Sequence, residues 1–517
     1  MIESKPEKQT SNTMKPDVDL KTSDGVEVSE LMQLSWLQQV KLLWISRRAA
    51  LGAMACSSLA VMIGYDMMML GSIIGNAEFV KAFGVYQEDL HTWSLPADQQ
   101  FIWTVVQYVF AIVGAFIVGQ LSDTFGRKVM FFVTVGLTFC GTLVELFSPN
   151  WKVWIVGKFF FGMAMGFMQG NTPVYVSELA PVHIRGFMLS LFQLWITVGV
   201  FIATCVLEGT STMSGPWSWK AAVVTQFGIG LFSLALFIFC VPESPYYLIN
   251  KGHTERARSA LLQLRGNEPG YDVDDDITLI GTTIAHEKAS HEDAPSYLEC
   301  FRGTDLRRTL LACLPMVMQQ FLGFTLGNQY QAYFLGLAGL SNSFVITVIS
   351  SLLGIFAILV AFTLIERVGR RPQLLLGSLG MLGCLLGMGI LGFVNKGTTA
   401  NNNGLAVVVT LWNIFYYISV GTIGWIIVGE ISSTRLRAKT ASIATMTNAI
   451  LNMAWGIAIP YLINTDEANL GAKAGLIFLG PGIVLALILF FTLPETKGKT
   501  FVQLDLLFEL RTPARKF

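Results

Sequence analysis

A chain of 517 residues that is 53% hydrophobic and only 14% charged is not composed like a soluble protein, which would carry roughly a quarter charged residues. Its 35 basic and 35 acidic residues cancel, which excludes nucleic-acid binding, since that needs a basic surplus. In chain order, residues 1–46 are polar and lack the apolar core of a cleavable signal peptide. They read as a soluble tail in which Leu31 to Trp44 could form a short amphipathic helix. Apolar runs long enough to cross a bilayer then follow, near 51–75, 101–121, 129–147, 152–174, 186–207 and 221–241. A hydrophilic segment, 242–308, separates these from six more near 309–334, 344–365, 374–394, 405–429, 439–463 and 474–493. The run at 309–334 is the most polar. The predicted fold class is an all-α membrane protein of twelve transmembrane helices in two six-helix halves. The predicted divisions are a tail at 1–46, bundles at 47–241 and 309–493, a linker at 242–308 and a second tail at 494–517.

Orientation follows from the lysines and arginines. With both termini cytosolic, 29 of the 35 lie on the cytosolic side. Lys81, Lys152, Lys220, Lys396 and Lys473 lie outside, and Lys158 lies within a span. The two halves also repeat one another. Glu178 and Arg185 in SELAPVHIRG match Glu430 and Arg437 in GEISSTRLRAKT at an offset of 252 residues. Pro242 and Glu243 of PESP match Pro494 and Glu495 of PETKG at the same offset. Asp123, Gly126 and Arg127 have the internal spacing of Glu366, Gly369 and Arg370, offset by 243 residues.

These motifs resemble the sugar porter family of the major facilitator superfamily, and most nearly its fungal maltose and α-glucoside permease branch. The resemblance covers roughly residues 45–517, and its most specific stretches are GYD (64–66), the GRK and GRR loops, PESP, GEISSTRLRAKT, GAKAG (471–475), PETKG and TPARKF (512–517). It implies a monomer that moves a sugar across the bilayer of the plasma membrane by alternating access, with a proton as co-substrate. No cofactor is implied. The acids and arginines at the helix ends (Asp123, Arg127, Glu178, Arg185, Glu366, Arg370, Glu430 and Arg437) read as gating residues. Ion pairs among them would lock the two halves together in the outward-facing state. Each exposed pair contributes little, about 0–1 kcal/mol, but a shared network biases a two-state equilibrium. Thr124 departs from the family, where a basic residue is common.

Two charges lie inside the membrane. Asp66 precedes the outer end of the first span by about nine residues, and Lys158 follows the outer start of the fourth by about seven. At 1.5 Å per residue both lie roughly 10–14 Å deep, so they could pair. An unpaired charge there costs at least about 2.5–3.5 kcal/mol, so a functional reading is the default. In the proton-coupled members of the family the GYD aspartate resembles the proton acceptor and its partner is usually arginine, where this chain has Lys158. Ile63 also stands where close fungal relatives often carry glutamate.

A sugar needs neutral hydrogen-bonding groups and aromatic faces. By motif spacing Gln193, Gln319, Gln320, Trp425, Asn448 and Asn452 match the family's sugar-contacting positions. Asn328, Gln329, Tyr330 and Tyr333 follow the QQ pair. A lone amide in a span also serves as interhelical glue, but this cluster points to a ligand. Two family asparagines are replaced, by Thr325 and Gly354, which implies a different hydroxyl pattern or a larger ligand. Five scattered histidines and seven single cysteines form no metal motif or catalytic pair, and no GxxxxGK[ST] loop is present, so an enzyme and an ATP-driven pump are both disfavoured. Transport of another polar metabolite, inward or outward, stays open. A non-transporting sensor would be expected to carry a longer tail after the last span.

Overall fold

Backbone polar groups find no water in hydrocarbon, so the apolar runs become helices that satisfy their own backbones. The computed structural model describes residues 44–88, 92–180, 182–268, 270–289, 297–340, 342–394, 398–432, 436–464 and 468–497, with scattered positions from 504 to 514. The amphipathic stretch expected before Trp44 lies outside the described residues. Span 1 joins Arg47–Ser57 and Ala60–Ser72 and ends in the 3₁₀ turn Ile73–Gly75. Spans 2 to 6 are Ala97–Phe125, Arg127–Leu146, Trp151–Leu179, Val182–Ser211 and Trp217–Cys240. Span 7 is broken into Gly303–Phe321, a π turn at Thr325–Gln329 and Gln331–Leu337. Spans 8 and 9 are Ser343–Val368 and Arg370–Leu391. Span 10 joins Thr399–Ile418 and Val420–Ile431, and spans 11 and 12 are Arg437–Ile463 and Gly475–Thr492.

Among the described residues, eleven of these are long and apolar enough to cross a membrane on length and composition alone. Span 7 does not meet that test: its first helix carries Asp305, Arg307 and Arg308, and the rest is interrupted and short. Gly323, at φ 88°, takes a left-handed turn open to glycine but strained for other residues. The π turn that follows brings the polar run from Thr325 to Gln329 into the buried centre of the bundle.

Close helix packing depends on missing side chains. A Cβ on Gly64 would sit 1.8 Å from the Ile196 carbonyl oxygen, and one on Gly199 would sit 2.0 Å from that of Val61. Spans 1 and 5 therefore touch backbone to backbone. Gly162 and Gly166 do the same for spans 2 and 4, against the carbonyls of Gln107 and Ala111. Small residues at membrane interfaces permit this approach and the dispersion it brings. Of the seven free cysteines, Cys56, Cys300 and Cys384 are buried, but Cys140 and Cys205 are exposed on the bundle surface and do not fill the interior.

Between spans 1 and 2 the chain forms a short helix, Ala77–Phe83, and a two-stranded hairpin in which Tyr86 faces Trp93. Phe79 and Phe83 insert among Trp154 and Trp219, and Phe79 also meets Trp103, so an aromatic plug seals that end of the first half. Between spans 6 and 7 lie the helices Pro245–Asn250, Thr254–Arg265 and Val273–Ala289. Arg265 fastens them, with ion contacts of 2.9 Å to Glu268 and 2.6 Å to Asp276.

Candidate solute and ion site

Asp66 and Lys158 meet. The ammonium lies 3.0 Å from Asp66 Oδ1, with side-chain exposures of 1% for the lysine and 5% for the aspartate. Gln107 of span 2 donates to the other carboxylate oxygen at 2.5 Å. Both oxygens of Asp66 thus have partners, one on span 4 and one on span 2. Lys158 has a second carboxylate, Glu145 of span 3, also at 3.0 Å. The aromatic plug lies above this group, and Trp154 and Phe161 face the ammonium at 5.4 and 5.3 Å, close enough for cation–π attraction.

The amides gather in the second half. Gln319 donates to the Tyr416 hydroxyl, and its own Oε1 accepts from Asn448 at 2.6 Å. Thr325 donates to Gln320 Oε1 at 3.3 Å, while Gln320 Nε2 is buried without a partner. Asn452 is 1% exposed, and its Oδ1 is likewise unsatisfied. An unmade bond at a buried polar atom costs about 1–3 kcal/mol. Gln320 Nε2 is thus a donor and Asn452 Oδ1 an acceptor of the kind a hydroxyl group satisfies. Trp425 packs against Met316, Val428 and Ala444 and turns its edge to Phe192 of the first half, 6.3 Å away. Gln193 is buried one residue further along span 5.

At the end of the bundle near the termini the two halves carry the same constellation. Arg127 makes an ion contact of 2.9 Å with Asp123 and one of 3.1 Å with Glu178. Arg370 contacts Glu430 at 3.1 Å. Gly126 and Gly369, with φ of 99° and 98°, turn the chain into spans 3 and 9. Glu243 accepts from the backbone N–H groups of Arg127 and Lys128, and Glu495 from those of Arg370 and Arg371. A carboxylate at a helix N-terminus satisfies orphan donors and complements the dipole. Ser244 and Thr496 bridge the motifs by donating to Glu178 and Glu430.

The described pairs close within each half, whereas the lock expected between the halves belongs to the outward-facing state. Arg127 begins span 3 beside the ends of spans 2 and 4, so its nearest acids belong to its own bundle. The side chains of Arg185, Glu366 and Arg437 lie outside the described residues. Hydrogen bonds between the halves occur toward the other face. Ser72 donates to the Gln329 carbonyl at 3.2 Å, Tyr461 to Asp98 at 2.9 Å, and Thr204 pairs with Ser351 at 3.1 Å. The bundle is closed at the face opposite its termini.

Residues 51–508 match the family described as "Sugar (and other) transporter". The chain belongs to this family. Among curated members, the major facilitator-type transporter ecdD of Aspergillus rugulosus is 28% identical over 87% of this chain and 85% of its own length. The general alpha-glucoside permease of Saccharomyces cerevisiae is also 28% identical, over 96% of this chain and 80% of its own. Among solved structures, the partially occluded inward-open form of the xylose transporter XylE from E. coli superposes with a TM-score of 0.71 at 19% identity. It covers 88% of this chain and 100% of that one.

For a sugar transporter family member, three features of the site were not read from the sequence. Glu145 lies near the end of an apolar run and passes there for an interfacial acid. Asn413 and Tyr417 are ordinary in sequence, yet Asn328 donates to both, at 3.1 and 2.9 Å. The Tyr417 ring also fills the space beside Gly354, where a Cβ would lie 2.6 Å away. A bulky aromatic thus stands where the family's asparagine is missing.

Proposed function

We propose that this transporter moves a neutral sugar, a disaccharide or hexose, in symport with a proton, by alternating access. The observation that carries the reading is the buried Asp66–Lys158 ion pair, since a charge pair held in the interior without a role would be replaceable by apolar packing at little cost. Asp66 accepts the proton, and Lys158 is the partner it releases. Gln193, Gln319, Gln320, Trp425, Asn448 and Asn452 bind the sugar. Similarity to a yeast alpha-glucoside permease supports that substrate class. Both termini are cytosolic and the membrane is the plasma membrane. The halves at 47–241 and 309–493 rock about the site, and the charged constellations at the helix ends, Arg185, Glu366 and Arg437 included, shape the gating equilibrium.

With the outer face closed and Asp66 paired to Lys158, the arrangement fits a carrier that has released its proton inward. A second reading, carriage of another polar metabolite, is favoured by Tyr417 standing beside Gly354, which alters the hydroxyl pattern a ligand would meet. Uptake of labelled glucose, maltose and other sugars into cells lacking their own carriers, at two external pH values, separates the two. Sugar uptake that rises at the lower pH supports symport. Absence of uptake of every sugar, with the protein present at the surface, rejects the sugar reading.

A further inference from the structure

We propose that Glu145 is the second carboxylate of the coupling site: it holds Lys158 while Asp66 carries a proton, and so sets the pH at which that proton is taken up. The proposal rests on the reading of Asp66 as the proton site and adds a residue that no sequence motif marks.

Glu145 is 0% exposed, and its carboxylate lies as close to the Lys158 ammonium as Asp66 does, 3.0 Å in each case. It reaches that position over Gly157, where a Cβ would come within 2.4 Å of the Glu145 Cγ. The glycine immediately before Lys158 therefore leaves the slot the glutamate needs. Apart from the ammonium, neither Glu145 oxygen has a hydrogen-bond partner, whereas Asp66 also has Gln107. Among the described residues of spans 1 to 6, Asp66, Glu145 and Lys158 are the three buried charged side chains. Tyr108 of span 2 is the other titratable group close to Asp66, and Tyr330 of span 7 lies close to Tyr108 in turn. Span 6 offers neutral groups: Trp219, and Gln226, which accepts from Thr142 one turn before Glu145.

One ammonium serves two carboxylates, and that asymmetry is useful. If Asp66 were the sole partner, protonating it would strand a buried ammonium, and stranding a buried charge is strongly unfavourable. With Glu145 in place, a hydronium ion gives its proton to Asp66 Oδ1 and leaves as water, its O–H bond breaking as the carboxyl O–H bond forms, and the contact from Lys158 to that oxygen breaks while the contact to Glu145 persists. On release the O–H bond breaks, the proton returns to water on the other side, and Lys158 again spans both acids. A lysine suits this exchange, because its three rotatable donors serve two acceptors without a fixed fork.

The test needs protons alone. The purified full-length transporter in lipid is titrated with pH while infrared difference spectra follow the C=O stretch of protonated carboxylic acid. The band lost in Asp66→Asn reports Asp66. In Glu145→Gln its midpoint should move to lower pH by about one unit or more, on the order of tenfold in proton affinity. Glu145→Asp keeps the charge but withdraws it by one methylene, so its midpoint should fall between those of Glu145→Gln and the unaltered protein. That variant carries the test if Glu145→Gln is not recovered folded. An Asp66 band with one midpoint in all three proteins overturns the role of Glu145 and leaves the proton-site reading standing. If Asp66→Asn removes no band, the proton-site reading falls and this proposal falls with it.

Discussion

Gln319 is bonded at both ends of its amide, to Tyr416 and Asn448, whereas Gln320 holds a buried donor with nothing to receive it. On the proposed function, the difference separates a residue that positions the site from one that bonds the sugar. Gln320→Ala should weaken sugar binding by about 0.5–1.5 kcal/mol, or a few-fold to tenfold, at unchanged surface expression. Binding measured by isothermal calorimetry checks this, and unaltered affinity would assign Gln320 to packing. At the ion site, Asp66→Asn mimics the protonated acid. It should abolish accumulation against a gradient while sparing exchange of labelled for unlabelled sugar across the membrane. A variant that still concentrates sugar would place coupling elsewhere. The Asp66–Lys158 contact was legible because helix rise converts sequence position into depth. Glu145 was not, because depth says nothing about which helix faces which, and a lone acid near the end of an apolar run resembles an interfacial residue.

At the scale of elements, eleven spans were legible from hydropathy, since lipid imposes long apolar helices on any chain that crosses it. Span 7 was recognisable only as the most polar run. Its interruption depends on Gly323 in a left-handed turn and on a π turn, and neither leaves a periodic signal. The charged motifs were legible as a repeat, but their pairing was not. Spacing places Arg127 and Arg370 at helix starts, whereas only the folded packing puts Glu178 and Glu430 in their own halves' reach. The caps on spans 3 and 9 give a direct test. Glu495→Ala removes the acceptor for the two backbone donors of span 9 and for that of Lys497, and should cost about 0.5–2 kcal/mol, read as a lower melting temperature in detergent. An unchanged melting temperature would make the contact incidental. Gly166→Leu should be more severe, because its Cβ position already lies 2.2 Å from the Ala111 carbonyl. A folded, monodisperse yield equal to that of the unaltered protein would refute the tight seam between spans 2 and 4.

For the whole molecule, closure at the face opposite the termini depends on span 1 reaching span 7. A Cβ on Gly71 would lie 2.2 Å from the Gln329 carbonyl oxygen, so Gly71→Val should hold that face open. An impermeant thiol reagent applied from outside should then label a cysteine placed at Gln320 faster than it does without the valine, and equal rates would contradict the closure described. The measurement closest to the central claim is proton movement itself. With the transporter reconstituted in vesicles and no pH gradient imposed, adding the transported sugar outside should make the external medium more alkaline as protons enter with it, and Asp66→Asn should abolish the signal. Sugar entry at the same rate with no change in external pH would contradict proton symport and leave a facilitator that carries a structural ion pair.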